Sequence, residues 1–445
     1  MKCWRVRPLP GGSALRGTMR VPGDKSISHR ALILSGMAGE VEPEIENLLE
    51  SEDVKATREI IRKVFGGGTG GEEKGSAETQ KPKNAAEGGD PVLELDCGNS
   101  GTTIRLMMGV LSGRKGCCFR LDGDASLRRR PMERVAAPLR KMGACIETNE
   151  GRPPVRIEGR ELIGTRVQLS VASAQVKSAL LLAGLQATGT TEITSPAPSR
   201  DHTERMLNYF GVPVEGSGNG RAVAVRGPAS LAPRPVSVPG DISSAAFFLV
   251  AAALIPGSEL SIENLGLNPT RTGILDCFDA AGVSWEAQGI ETVSGEPRGK
   301  VSVRAGEFSA FGIAGDLVPR LIDEIPVLAL LAAHSAGGLS VFRDAAELRV
   351  KESDRIARIA EVFGRIGLVV RTRDDGLEIP GGQSVRGGTV SSGGDHRIAM
   401  TAAVAGLVSR EGVIVEDVAC VETSFPGFQE TVERLAPGVI EAIEG

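Results

Sequence analysis

Two stretches of this chain, VPGDKSISHRALILSGMAG from Val21 and VPGDISSAAFFLVAAALIPG from Val238, begin alike and continue alike. Each runs Val-Pro-Gly-Asp, then serines, then an apolar helix-like stretch, then glycine. The recurrence points to two related halves. Four further segments carry a weaker form of the pattern: CGNSGTTIRLMMGVLSG from Cys97, ASAQVKSALLLAGLQATG from Ala172, DEIPVLALLAAHSAGG from Asp323 and GGDHRIAMTAAVAGLVSREG from Gly393. The starts recur roughly every 70–80 residues, longer than the common solenoid periods. The pattern reads as six copies of one α/β unit, three in each half. The apolar helices are hydrophobic nearly all round and are therefore expected to be buried on every side. Short alternating stretches (PVRIEGRELIG, RVQLSV, TEITSP, AVAVRG) read as strands, and RPMERVAAPLRKMG and DRIARIAEVFGRIG read as amphipathic helices nearer solvent. Sheets are expected to wrap the buried helices. An ordinary α/β sandwich is the alternative on pattern alone.

Pro and Gly punctuate chains, so the two Pro-Gly dipeptides, Pro22-Gly23 and Pro239-Gly240, read as domain crossings. That makes residues 23–239 one domain and residues 1–22 with 240–445 the other, a discontinuous one. Residues 66–90, GGGTGGEEKGSAETQKPKNAAEGGD, hold no apolar periodicity and read as a disordered surface insertion.

Composition narrows the class. The chain has 445 residues, enough for two or three domains with real cores, and a net charge of −5. A general nucleic-acid binder needs a basic surface, which this is not, although a local basic pocket is compatible with the balance. The seven cysteines form no CxxC and no Cys/His cluster of zinc spacing, so reduced thiols are the simplest expectation. The start, MKCWRVRPLPGG, has no apolar signal-peptide core. The longest apolar runs, about a dozen residues, are short for a bilayer core of ~30 Å.

The chemistry-bearing residues gather at the helix starts. Unpaired N–H groups and the positive dipole end favour anions there, and six such starts facing one cleft would attract anions strongly. Capping alone explains each start taken singly. In GDKSISHRAL, a helix from Lys25 puts Ser26 and Arg30 on one face, a hydroxyl and a guanidinium suited to an oxygen-rich anion. In ELRVKESDRIARIA, Lys351 and Arg355 fall at i,i+4, a repulsive pair unless an anion lies between them. Glu352 is either the ion-pair partner of Arg355 or a proton carrier. Asp323 and Glu324 precede an apolar helix, as a first turn or as a general base. Arg397 heads another apolar helix, Ser173 and Gln175 a third. Arg200 and His202 lie in what reads as a polar turn. GxSxG, Walker A and a Rossmann GxGxxG after a strand are all missing, which disfavours nucleotide and hydride chemistry.

Taken in order, PGDKSISHRA, GNSGTTIR, RRRP, SAQ, SRDHTE, GDISSA, IDE-x-P, RVKESDR and DHR-x-AM resemble the EPSP synthase family over Val21 to Pro426. The resemblance implies an enolpyruvyl transferase fold: two similar domains, each of three βαβαββ units around buried helices, an inside-out α/β barrel. It implies transfer of the enolpyruvyl group of phosphoenolpyruvate to the 5-hydroxyl of shikimate 3-phosphate, without cofactor or metal, in a cytoplasmic monomer with no nucleic-acid or membrane partner. By the same resemblance, Lys25, Arg130 and Gln175 hold the phosphoenolpyruvate phosphate, and Arg355 and Arg397 its carboxylate. Asn99, Gly101 and Thr102 line that pocket. Ser26, Arg30, Asp323 and Lys351 contact the shikimate ring, while Ser173, Ala174 and Arg200 take the 3-phosphate, with Lys25 and Gln175 also against this substrate. Asp323, Glu352 and Lys25 are the implied catalytic groups. Binding of shikimate 3-phosphate is expected to draw the halves together.

Two positions depart from many family members. Thr423 stands where a lysine often precedes Phe-Pro, and Ser126 stands where an arginine is common; both resemble the family's second sequence class. Gly101 leaves room that an alanine would fill, so glyphosate, which resembles phosphoenolpyruvate, is expected to inhibit. UDP-N-acetylglucosamine enolpyruvyltransferase is the nearest rival, but its Pro-Cys-Gly loop has no counterpart among the seven cysteines. A catalytically inactive anion-binding homologue is the rival of another class.

Overall fold

A helix that is apolar on every face is stable only inside protein. The structure, a computed structural model that describes residues 2–66, 91–216 and 220–444, buries six of them. They are α1 (Lys25–Met37), α2 (Gly101–Ser112), α3 (Ala174–Gly184), α4 (Ile242–Leu254), α5 (Ile325–Ala333) and α6 (His396–Leu407). All of α5 and α6 is buried, as is Ile242 to Ala253 of α4. Lys25 and Ser26 of α1, Thr102 of α2, and Ala174 and Gln175 of α3 stay partly accessible, and the bodies of these helices are buried. Small side chains permit this crowding. At Gly109 of α2 an added Cβ would lie 2.1 Å from the Ala179 carbonyl oxygen of α3, so only glycine allows the two backbones to approach so closely.

The chain divides into two compact units, each with its own apolar core. Lys25–Val238 forms a continuous unit containing α1 to α3. Met1–Asp24 and Pro239–Gly445 form a split unit containing α4 to α6. Both Pro-Gly dipeptides belong to the split unit, so Gly23, Asp24 and Pro239 lie with it. The insertion read at 66–90 lies outside the described residues except for Gly66, whose N–H caps helix Glu52–Phe65 at the Arg62 carbonyl.

Among the described residues, five four-stranded sheets share one plan: a parallel pairing, then two antiparallel ones. In the continuous unit, Val92–Asp96 lies parallel to Cys118–Asp122, which pairs antiparallel with Arg152–Glu158, and that strand with Cys145–Asn149. A second sheet repeats this order with Arg166–Gln168, Gly189–Thr194, Ala222–Gly227 and Glu215–Gly216. The split unit has three such sheets. In one of them the N-terminal strand Lys2–Val6 lies between Val413–Glu416 and the final strand Ile440–Glu444. The order follows from a βαβαββ unit, in which the parallel pair needs a helical crossover and the last two strands form a hairpin. The sixth copy is reduced. Among the described residues it keeps only Ile45–Glu46 parallel to Val236–Ser237. Pro43, which lacks an N–H, and Asn47, at φ 56°, bracket the first of these and limit it to two residues.

More polar helices cover the sheets, among them Glu133–Lys141 and Arg355–Arg365, with apolar positions at helical spacing turned inward. Among the described residues, no helix is long and apolar enough to cross a membrane. All seven cysteines are free thiols, and burial pushes Cys277 and Cys420 up to about 12.

Candidate active site

Two of the three buried helices in the continuous unit, α2 and α3, are capped by hydroxyls. Ser100 caps α2, its side chain accepting from the Thr103 N–H at 3.1 Å, and Ser173 caps α3 by accepting from Val176 N–H at 3.4 Å. Both hydroxyls are neutral, so the positive dipole ends are not discharged. The two heads are cross-linked: Gln175 Nε2 donates to Thr102 Oγ1 at 2.9 Å, and Gln175 Oε1 accepts from Arg105 at 2.6 Å. Gly101 sits under two guanidinium groups. A Cβ there would lie 2.8 Å from Arg130 Nη1 and 3.0 Å from Arg105 Nη1. Arg130 also donates to Asn99 Oδ1 at 2.9 Å, and Asn99 Nδ2 donates to Asp124 at 2.7 Å. Asn99, Gly101, Thr102, Arg130 and Gln175 are thus brought together, and Arg105 joins them.

At the head of α1, Lys25 Nζ stands 2.5 Å from Asp53 of helix Glu52–Phe65. Asp53 is buried, and its Oδ1 has no hydrogen-bond partner among the described residues. Arg30 is used differently from the reading on spacing. It is buried, and its link to Ser26 runs to the backbone carbonyl (2.8 Å), not to the hydroxyl. Its other nitrogens donate to Thr203 Oγ1 and Ser178 Oγ, each at 2.7 Å, bracing α1 against α3 and helix His202–Tyr209. The segment Ser199–Arg205 is not a polar turn: His202 begins that helix and is buried. Arg200 follows Ser199, whose carbonyl accepts from Lys177 at 3.2 Å. Lys177 itself lies buried 2.5 Å from Glu204.

In the split unit, carboxylates cap two of the three buried helices, α4 and α6, and helix Arg355–Arg365. Asp241 caps α4 through Ser243 N–H (2.8 Å), Asp395 caps α6 through Arg397 N–H (3.0 Å), and Asp354 caps helix Arg355–Arg365 through Ala357 N–H (3.1 Å). This corrects the expectation of six like anion-attracting heads, because a carboxylate at the cap cancels much of the dipole's pull on a second anion. It also corrects the register of the Lys351 segment. The helix begins only at Arg355, so Lys351 is not an i,i+4 helical neighbour of it; instead Lys351 Nζ lies 3.8 Å from Asp323.

Arg355 is the centre of this cluster. It is 1% exposed, and its guanidinium meets Asp395 at 2.9 Å, Glu352 at 2.6 Å and Asp323 at 3.1 Å. Burial alone would push its pKa down, but these three carboxylates outweigh burial and hold it above its ordinary value. Burial raises the Asp395 carboxyl and Arg355 lowers it; the arginine prevails, and the group lies below its ordinary 3.8. Glu352 and Asp323, the two candidate proton carriers, therefore share one immobile cation. Arg397, in the first turn of α6, is buried, yet its Nε has no hydrogen-bond partner among the described residues. A buried guanidinium without an acceptor is costly, and this one can take an arriving carboxylate bidentately.

Thr423 is absorbed into the turn Val418–Thr423, where its hydroxyl donates to the Cys420 carbonyl at 2.7 Å. Ser126 directly precedes the turn Leu127–Arg129. Reading by sequence assigned no role to Asp53, Arg105 or Asp395. The last two lay inside quoted motifs, GNSGTTIR and DHR, and that position was the available signal.

The family model for EPSP synthase (3-phosphoshikimate 1-carboxyvinyltransferase) matches residues 9–432. A 3-phosphoshikimate 1-carboxyvinyltransferase of Anaeromyxobacter sp. (strain Fw109-5) is 50% identical over 441 residues, covering 98% of this chain and 99% of that protein. One from Synechococcus sp. (strain RCC307) is 48% identical over 433 residues, covering 96% and 98%. Among solved structures, an EPSP synthase from Acinetobacter baumannii aligns over 100% of both chains with a TM-score of 0.82 at 38% identity.

Proposed function

Since the chain belongs to the EPSP synthase family, we infer that it transfers the enolpyruvyl group of phosphoenolpyruvate to the 5-hydroxyl of shikimate 3-phosphate. The products are 5-enolpyruvylshikimate 3-phosphate and phosphate, a step of aromatic amino-acid (chorismate) biosynthesis. The observation that carries the reading is Arg397. It is a buried guanidinium without a hydrogen-bond acceptor at Nε among the described residues, and Asp395, two residues before it, also holds Arg355 and through it Glu352 and Asp323. An anion-binding cation beside a pair of proton carriers is what addition to an enol carboxylate requires.

In this reading Asp323 accepts the proton of the 5-hydroxyl as its oxygen attacks C2 of phosphoenolpyruvate. Glu352 delivers a proton to C3, which becomes a methyl group. Lys25 stabilises the tetrahedral phosphoketal. Elimination breaks the C2–O bond to phosphate, which leaves with the proton that Asp323 had accepted, and the C3 proton returns to Glu352. Arg397 and Arg355 hold the carboxylate, Lys25, Arg130 and Gln175 the transferred phosphate, and Asn99, Gly101 and Thr102 line that pocket. Ser173, Ala174 and Arg200 take the 3-phosphate, and Ser26, Arg30 and Lys351 the ring side. Arg355 already carries three carboxylates, so a fourth is accepted most readily once Glu352 is protonated, which ties carboxylate binding to the state in which Glu352 is a proton donor. Arg30, braced inside the unit, contributes chiefly through the position of the α1 head.

We place the enzyme among the family's second sequence class on Ser126 and Thr423, and read it as a cytoplasmic monomer of two domains, with glyphosate a competitive inhibitor against phosphoenolpyruvate. A phosphate-release assay with each substrate omitted in turn tests the activity. Release that needs both substrates is expected; release from phosphoenolpyruvate alone, or none, overturns it.

A further inference from the structure

The turn Asn268–Gly273, N-P-T-R-T-G, was singled out by no motif, and the reaction scheme above makes no use of it. It is nonetheless tightly built. Asn268 Oδ1 accepts from the Thr270 N–H and hydroxyl, its Nδ2 donates to Glu296, and Arg271 N–H donates to the Asn268 carbonyl at 2.8 Å. Its product is a buried cation: Arg271, 3% exposed, 3.3 Å from Asp24 and 3.0 Å from Asp241. A guanidinium at that depth needs such partners. Burial pushes its pKa down, but Asp24, Asp241, Glu324 and Asp323 outweigh burial and keep it charged.

The third contact gives the site its direction. Arg271 Nη2 donates to Ser243 Oγ at 2.7 Å, and the same hydroxyl donates to Glu324 Oε1. Glu324 is buried, opens α5, and is the residue after Asp323. The turn holds this segment at two further points. Arg320 Nε donates to the Pro269 carbonyl at 2.7 Å, and a Cβ on Gly273 would lie 3.0 Å from Leu321 Cβ, so the two backbones are closely packed. Residues 320–324 are therefore gripped in three places by one turn.

We propose that Arg271 is a positioning residue for the transfer reaction: through Ser243 and Glu324 it fixes the head of α5, and with it the carboxylate of Asp323. It touches no substrate in this scheme. The proposal rests on the functional reading above, in which Asp323 is the base, and it adds a group that governs where that base stands. Its effect belongs on turnover, since a misplaced base weakens the transition state more than ground-state binding.

The test compares wild type with Ser243→Ala, Arg271→Lys and Arg271→Gln, measuring kcat and KM for both substrates per folded molecule, with folded fraction from circular dichroism. Misplacing a base by a fraction of an ångström to 1 Å predicts a loss of about 10-fold in kcat for Ser243→Ala and about 100-fold for Arg271→Gln. Arg271→Lys, which keeps the charge, should recover part of that loss. KM should stay within about twofold in all three. A purely structural role would lower the folded fraction and leave kcat per folded molecule unchanged. Should Arg271→Gln fail to fold, Ser243→Ala and Arg271→Lys decide. If both retain kcat within about twofold of wild type, the proposal is overturned while the functional reading stands. A wild-type protein that releases no phosphate with both substrates overturns both.

Discussion

The two units repeat one architecture and finish it in opposite ways. In the continuous unit, serines cap α2 and α3, and at the α2 head Gln175 links Arg105 to Thr102 while Arg130 donates to the Asn99 amide. In the split unit, aspartates cap α4 and α6, and each aspartate binds a buried arginine, Arg271 or Arg355. A neutral cap keeps a helix head receptive to phosphate. A carboxylate cap uses up that attraction, recruits a fixed cation, and gathers further carboxylates around it. On the functional reading above, the continuous unit holds phosphate, and the split unit handles protons and the substrate carboxylate, from the same fold with a different capping residue.

The largest expected effect addresses the proton-handling side. Replacing Glu352 by Gln keeps the shape and removes the titrating proton, so kcat should fall by ~10²–10⁴-fold, while shikimate 3-phosphate affinity, measured by fluorescence or calorimetry, changes little. Near-normal turnover would erase the contrast in function.

Next is Asp395→Asn, which strips a buried carboxylate from Arg355 and weakens the α6 cap. Breaking such a pair costs about 3–5 kcal/mol, readable by urea unfolding. Since the Asp395 carboxyl lies below its ordinary 3.8 in the folded state, its contribution is complete above that value and is lost as pH falls through the depressed folded value. Wild-type stability should therefore drop on acidification below roughly pH 4, and the Asn variant should show a shallower acid limb. Parallel limbs would mean that the Arg355–Asp395 pair is not the source.

Gly101→Ala probes the anion-holding side. The new methyl meets Arg130 and Arg105 at 2.8 and 3.0 Å. Overpacking of this kind costs about 1–3 kcal/mol, which here should raise KM for phosphoenolpyruvate and the glyphosate concentration for half inhibition together. A change confined to shikimate 3-phosphate would place the glycine elsewhere in the reaction. The smallest effect is expected from Ser173→Ala: loss of the α3 cap should lower stability by ~1 kcal/mol, well short of Asp395→Asn. Equal losses from the two caps would remove the energetic difference between the units.

Much of this was legible before any coordinates. The six all-round apolar helices, the strands at RVQLSV, TEITSP and AVAVRG, and the residues at the helix heads follow from local pattern, because periodicity and capping are properties of neighbours in sequence. Lys25, Gly101, Gln175, Asp323 and Arg397 do stand at helix starts, as read. The reading failed where a long side chain chose its partner from far away. Arg30 turned from the Ser26 hydroxyl toward Thr203 and Ser178, and Lys351 left the helix for Asp323.

The amino-acid order alone determined the repeating unit, its buried helices and which polar residues begin them, since those depend on spacing along one stretch of chain. The tertiary structure alone decided which of those residues are ligands of one another. Asp53 beside Lys25, Asp323 and Asp395 on Arg355, and Arg271 joined through Ser243 to Glu324 are contacts across 28 to 81 positions. A buried charge must find an opposite charge wherever the packed backbone presents one, and no local rule specifies where that is.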